Sequence, residues 1–189
     1  MLSYPLVCST WSEEETMAAQ KELEQGTLTM GHRVAEFEEA FGQYVGAKYC
    51  VMVNSGSSAN LLSVAALCCR KKDPLRRGDV VIVPAVSWST TYFPFQQYGL
   101  ILKFVDVDRN TFNYKIEDLE AAVSAETRAI VAVNLLGNPN DFTQIMQIIE
   151  KQNLILIEDN CEALGAEYDN QQTGTYGLLG TFSTYFSHH

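Results

Sequence analysis

No lysine or arginine follows Lys151, and histidine is scarce throughout, with His32, His188 and His189 the only three. Cysteine is present but unstructured in its spacing. The five residues Cys8, Cys50, Cys68, Cys69 and Cys161 are odd in number and contain no C-x-x-C pair, which argues against a disulfide framework or a zinc module. Cys68 and Cys69 sit in an apolar helical run, where cysteine behaves as a small hydrophobe, and a reducing compartment fits. No apolar run approaches membrane-spanning length, and the opening "MLSYPLVCSTWSEEE" has neither a basic lead nor a long apolar segment. A cytoplasmic protein is therefore expected. Basic side chains number 13 against 23 acidic ones, a formal net charge of -10. That excess repels phosphate backbones and anionic bilayers, so neither nucleic acid nor membrane is an expected partner. The only dense basic stretch, "RKKDPLRRGD" (Arg70–Asp79), carries Pro and Gly without aromatics and reads as a solvated loop.

What is present is order. Apolar residues make up 47% and charged ones 19% of 189 residues, enough for one substantial core, or one domain and part of another. "STWSEEETMAAQKELEQG" opens a helix with Ser12 and Glu15 at capping-box spacing and Gly26 as its stop. "RVAEFEEAFGQYVG" puts Val34, Phe37, Phe41, Tyr44 and Val45 on one helical stripe, stopped by Gly46. Strands are expected at "YCVMV", "DVVIVP", "ILKFVDV", "RAIVAVNL", "LILIED" and "GTFSTYF". Between them lie helical patterns at "SSANLLSVAALCCR", "STTYFPFQQYG", "KIEDLEAAVS" and "DFTQIMQIIEKQ". Apolar strands alternating with amphipathic helices imply βαβ crossovers and an α/β fold, a three-layer α/β/α arrangement on a mostly parallel sheet. Ligands of such sheets lie beyond the carboxyl ends of the strands.

Three strand ends carry candidate chemistry. After "YCVMV", the turn "NSGSSAN" feeds a helix whose free N–H groups and dipole favour a phosphate, although a plain turn capped by Ser57 or Ser58 reads the same way. The lysine of a Walker loop is absent. After "DVVIVP" comes Trp88, either a core residue or a platform for a flat ring. Asp159 closes "LILIED", either as a cap or as partner to a cationic ligand. Together they describe a phosphate, a flat ring and a cationic nitrogen, the three demands of pyridoxal phosphate.

The motifs "FEEAFGQYVGAKYCVMVNSGSSAN", "VIVPAVSWSTT", "LLGNPND", "LILIEDNCEALGA" and "GTFSTYF" follow one another from about Gly31 to the last residue. In that order they resemble the DegT/DnrJ/StrS sugar aminotransferase family, whose fold is that of aspartate aminotransferase (fold type I, PLP-dependent transferases). The resemblance implies pyridoxal 5'-phosphate or pyridoxamine 5'-phosphate as cofactor. Ser57 and Ser58, after Gly56, and Ser183 would hold its phosphate; Trp88 would stack on its ring; Asp159 would bind the ring nitrogen; Glu162 would approach the ring hydroxyl. It also implies a nucleotide-linked keto sugar as substrate, an amino donor such as glutamate, a homodimer, and a role in deoxysugar or lipopolysaccharide biosynthesis. The expected organisation is an N-terminal arm and helix over residues 1–30 and an incomplete cofactor-binding large domain over residues 31–189, with the small C-terminal domain absent.

One departure from the family pattern redirects the chemistry. Relatives place a Schiff-base lysine in a pattern like F-S-x-x-x-x-K, whereas Phe182 and Ser183 here are followed, at the lysine position, by His188. Histidine forms no such bond to the cofactor but acts as a base near neutral pH. The resemblance narrows to the branch that removes the C3 hydroxyl of nucleotide-linked 4-keto-6-deoxyhexoses, with His188 as the base. Alternatives are an aminotransferase of the same family, an inactive cofactor-binding or pairing fragment, and a purification tag beginning at His188. A metal pair is disfavoured, because the remaining histidine, His32, has no Cys/His cluster around it. His32, in "TMGHRV", reads either as a substrate contact or as an exposed loop residue.

Overall fold

The computed structural model describes residues 11–26 and 28–188, which form two compact units: residues 53–183, and residues 11–52 together with 184–188. In the smaller unit, α1 (Glu13–Gln25) begins with the capping box read from sequence. Ser12 Oγ accepts the Glu14 N–H at 3.1 Å and Glu15 Oε2 accepts the Ser12 N–H at 2.6 Å. Gly26 ends it at a φ of 73°, where a side chain would be strained. Helix α2 (His32–Val45) is tied back by Arg33, which donates to Glu22 and to Glu36 at 2.9 Å each. Its apolar stripe is only partly covered: Val45 is buried, whereas Phe37 and Tyr44 are exposed and Phe37 stacks on Phe41.

The strand expected at "YCVMV" does not form. Tyr49, Val51 and Met52 are exposed, and the Met52 N–H donates to the Glu38 carboxylate at 2.8 Å rather than to a neighbouring strand. The segment has strand composition but no ladder partner among the described residues, and pairing is what makes a strand.

The larger unit carries α3 (Gly56–Cys69), β1 (Val80–Pro84), α4 (Ser89–Gln97), β2 (Ile101–Val105), α5 (Ile116–Ala122) and β3 (Thr127–Val133). These are followed by α6 (Phe142–Gln152), β4 (Ile155–Asp159), a short antiparallel pair of β5 (Glu167–Tyr168) and β6 (Gln171–Gln172), and β7 (Leu179–Thr181). Five strands form one parallel sheet in the order β2-β1-β3-β4-β7. Side-chain alternation sorts them into two cores. Val81, Val83, Ala129, Val131, Ile155 and Ile157 face Val64, Leu67 and Phe95 of α3 and α4. Ile82, Ile130, Ala132 and Leu156 face Leu119, Phe142 and Ile145 of α5 and α6. The expected three-layer α/β/α fold is therefore what this unit adopts. Among the described residues no helix is long and apolar enough to cross a membrane.

The expected strand "GTFSTYF" is realised only at its start. Strand β7 pairs with β4 from Ile157↔Leu179 to Asp159↔Thr181. Strand β4 ends there, so the ladder stops at Thr181; the chain then runs irregularly into a 3-10 turn, Phe186–His188. Gly180 is where the chain has no room. A Cβ there would overlap the Gly174 carbonyl, and the backbone cannot retreat as a long side chain would. Gly180→Ala is expected to lower unfolding free energy by about 2 kcal/mol or more, read as a lower urea midpoint; an unchanged midpoint would show that β7 tolerates displacement.

Candidate functional site

Strand β4 ends on two consecutive carboxylates that alternation sends to opposite faces. Glu158 continues the Leu156 side towards α6, and Asp159 continues the Ile155 and Ile157 side towards α3 and α4. Asp159 is only 7% exposed and is met entirely by donors. Its Oδ2 accepts from Asn60 Nδ2 at 2.9 Å and from Thr91 Oγ1 at 2.7 Å, and its Oδ1 accepts the Cys161 N–H at 3.2 Å. The last bond closes a tight turn; no α-helix follows β4 among the described residues, so the helix-capping role open in the sequence is not taken up, and the other two bonds tie α3 and α4 to the sheet. An acceptor-only set of contacts suits an ionised carboxylate, and that is a partner for a cationic nitrogen.

Above Asp159 lies the first turn of α3. Ser55, not Ser57 or Ser58, is the N-cap, its Oγ accepting the Ser58 N–H at 3.1 Å. Gly56, Ser57 and Ser58 then form the opening turn, whose N–H groups have no intrahelical acceptors. Gly56 is required by closeness: a Cβ there would lie 2.6 Å from Cys161 Sγ and 3.3 Å from Ser183 Cβ. The helix start, the turn after β4 and the residue pair after β7 thus converge, and Ser183 stands beside the phosphate-type turn.

Trp88 is 74% exposed at the N-terminus of α4, which removes the core reading and leaves a surface indole one turn from Thr91. Glu162 accepts the Leu136 N–H on Oε2 at 3.1 Å. That N–H is presented by a sharp turn in which Leu136 adopts a φ of 54° and Gly137 a φ of 77°. Three buried asparagines brace the turn: Asn134 donates to Asn160 at 3.0 Å, and Asn140 donates to Asn134 at 3.1 Å through both its backbone N–H and its amide. The seven residues expected to hold a cofactor all belong to the 53–183 unit. His188 belongs to the smaller one, at the end of the 3-10 turn, where its N–H donates to the Tyr185 carbonyl at 2.9 Å and its ring meets Tyr185 edge-on. His32 opens α2, exposed and 3.8 Å from Glu22, rather than lying in a loop. Among the described residues no cluster of three His, Cys, Asp or Glu side chains could hold a metal.

Sequence reasoning did not single out Asn60, Thr91 or Thr181. All three are buried, and Thr181 Oγ1 donates to Asn60 Oδ1 at 2.7 Å. The available signal was a lone amide inside the apolar run "SSANLLSVAAL", because a buried polar group demands a partner.

Two titrations are displaced here. Burial pushes the Glu158 carboxyl above the usual glutamate range, although the N–H groups of Gly177, Gly174 and Tyr176 oppose the shift. Burial, then the charge of Asp159, pushes the Cys161 thiol far above the ordinary cysteine range.

A parallel, doubly covered sheet with an acceptor-only aspartate and a helix N-terminus at its strand ends is an α/β domain that opens to ligands there. Residues 9–189 match the DegT/DnrJ/EryC1/StrS aminotransferase family, and the chain belongs to it. It is 54% identical over its whole length to GDP-4-keto-6-deoxy-D-mannose 3-dehydratase of Yersinia pseudotuberculosis, of which it covers 48%. The E. coli enzyme of that name, solved with hydrated PLP, is 55% identical with a TM-score of 0.96 over 100% of this chain and 49% of its own. An H188N variant of GDP-4-keto-6-deoxymannose-3-dehydratase, solved with GDP-perosamine, is 54% identical with a TM-score of 0.94 over 97% of this chain and 48% of that one. The chain thus spans about half the length of the relatives it matches.

Glu158→Gln removes an acceptor facing buried N–H groups and is expected to cost about 1–3 kcal/mol. Because the folded carboxyl titrates above its unfolded value, wild-type stability falls as pH rises from the ordinary glutamate range through the raised one. The Gln variant flattens that slope, as urea unfolding between pH 4 and pH 8 (about, spanning both values) would show; a parallel slope would assign it elsewhere. Iodoacetamide at neutral pH is expected to label exposed Cys69 well before Cys161, and peptide mass mapping with equal labelling would contradict the burial of Cys161.

Proposed function

We propose that this chain is the cofactor-binding part of a cytoplasmic, homodimeric PLP/PMP-dependent enzyme that removes the C3 hydroxyl of a nucleotide-linked 4-keto-6-deoxyhexose. The substrate class follows the relatives, GDP-4-keto-6-deoxy-D-mannose, and glutamate is the proposed amine donor. The observation that carries the proposal is the donor-only setting of buried Asp159 beside the opening turn of α3.

The residues fit such a group. Asp159 offers a carboxylate to a pyridine nitrogen; the N–H groups of Gly56 and Ser57, with Ser183 beside Gly56, suit a phosphate; the exposed indole of Trp88 offers a flat face. When bound, pyridoxamine phosphate supplies an amine for the ketone and a ring that withdraws electrons. Asp159 would pair with the ring nitrogen, and Glu162, oriented by the Leu136 N–H, would accept from the ring hydroxyl. His188, in the sequence position of the family's lysine, would act as the base for the C3 dehydration. Imidazole cannot substitute for a lysine amine in releasing product, so water does so and the outcome is a deoxysugar rather than an aminosugar. The solved relative whose substituted histidine bears the same number supports attention to this position.

His188→Asn is expected to lower dehydration of GDP-4-keto-6-deoxymannose by about 100-fold or more while leaving pyridoxamine phosphate binding within about twofold. Undiminished turnover would remove His188 from the chemistry.

A further inference from the structure

The carboxylate that the proposed function places on the cofactor is itself aimed by an amide deep in α3. Asn60 shares the buried face of α3 with Val64 and Leu67, which are apolar, yet it is 8% exposed and fully engaged. Its Oδ1 accepts the Thr181 hydroxyl at 2.7 Å, and its Nδ2 donates to Asp159 Oδ2 at 2.9 Å. Nδ2 also lies 3.4 Å from the Thr90 carbonyl. Turned over, the amide would set its oxygen against two acceptors, the Asp159 carboxylate and the Thr90 carbonyl, so its N–H groups face them and the Thr181 hydroxyl donates into Oδ1. Thr91 completes the arrangement, since Ser87 Oγ lies 2.8 Å from Thr91 Oγ1 and can donate to it while Thr91 donates to Asp159.

We infer that Asn60, held between Thr181 and the Thr90 carbonyl, is a positioning residue: it fixes the direction of the Asp159 carboxylate facing the bound cofactor and links β7 through α3 to β4. This rests on Asp159 being the partner of the cofactor's ring nitrogen. A purely packing role would ask for an apolar residue here, because an amide in this core costs desolvation that only its three hydrogen bonds offset. The polar choice is explained by the direction of the donor.

Other titratable groups near the pair are few. On α4 there is Tyr92, and on the turn after β4 there are Cys161 and Glu162. Burial pushes both Tyr92 and Cys161 upwards, so neither gains charge near neutral pH. Glu158 points to the other face of the sheet, β7 contributes none, and Cys68 and Cys69 lie at the far end of α3.

The test uses two substitutions in the full protein, with pyridoxamine phosphate as the probe and its dissociation constant read by fluorescence at about pH 6 and about pH 8. Asn60→Leu keeps the volume and removes the donor, so binding should weaken roughly tenfold at both values. Asn60→Asp keeps the shape and the Thr181 bond but faces one carboxyl with another. At low pH a shared proton lets the new carboxyl donate as the amide did, and binding stays near wild type. At high pH two anions oppose each other, and binding weakens roughly tenfold relative to wild type. Loss of a merely structural amide would not depend on pH in that sense. Wild-type binding by both variants, or a loss by Asn60→Asp that is equal at the two pH values, overturns the inference. Asp159→Ala separates the levels: if it binds as wild type the proposed function itself fails, and if it alone loses binding only the role of Asn60 fails.

Discussion

A carboxylate taken out of water must be met by donors, and the end of strand β4 is organised around that requirement. Asp159 is nearly inaccessible, and an isolated buried charge would cost several kcal/mol. Its donors come from three separate pieces of chain: an amide on α3, a hydroxyl on α4 and a backbone N–H just after β4. Satisfying one group therefore fastens two helices to the sheet at the place where an α/β fold opens to ligands. The same contacts use Asp159 purely as an acceptor, so the demands of folding and of the proposed cofactor coincide.

Glu158 performs the matching task on the opposite face. It is fully buried, and its two oxygens accept the N–H groups of Gly174 and Gly177, clamping the turn that leads into β7. Gly180 lies against Gly174 with no space for a side chain. The turn and the strand are thereby pressed together, which sets where Thr181 and Ser183 fall. Thr181 then locks Asn60, so a clamp below the sheet reaches the carboxylate above it through β7. Consecutive residues of one strand divide the work because alternation gives them opposite faces.

Much of this was legible beforehand. The capping box of α1, the glycine stops, the strand–helix alternation and the places of Gly56, Ser57 and Ser58 at the start of α3 and of Asp159 at the end of β4 follow from local patterns. Local pattern failed where pairing decides. "YCVMV" has strand residues without a ladder partner, and "GTFSTYF" stops being a strand where β4 stops. It also missed the identity of the N-cap, since Asn54, Ser55, Ser57 and Ser58 around Gly56 offer several, and only helix geometry selects Ser55. Trp88 was undecided between core and surface, because exposure depends on what else comes near it.

By itself the sequence determined the layers, the direction of each face and the place of His188 in the family's lysine position, because those depend on periodicity and order along the chain. Tertiary structure alone decided which donors meet Asp159. Asn60 and Asp159 are far apart in sequence, as are Thr91 and Asp159, and no local rule pairs an amide in one helix with a carboxylate at the end of a strand. Burial forces the pairing, and burial exists only once the helices have packed on the sheet.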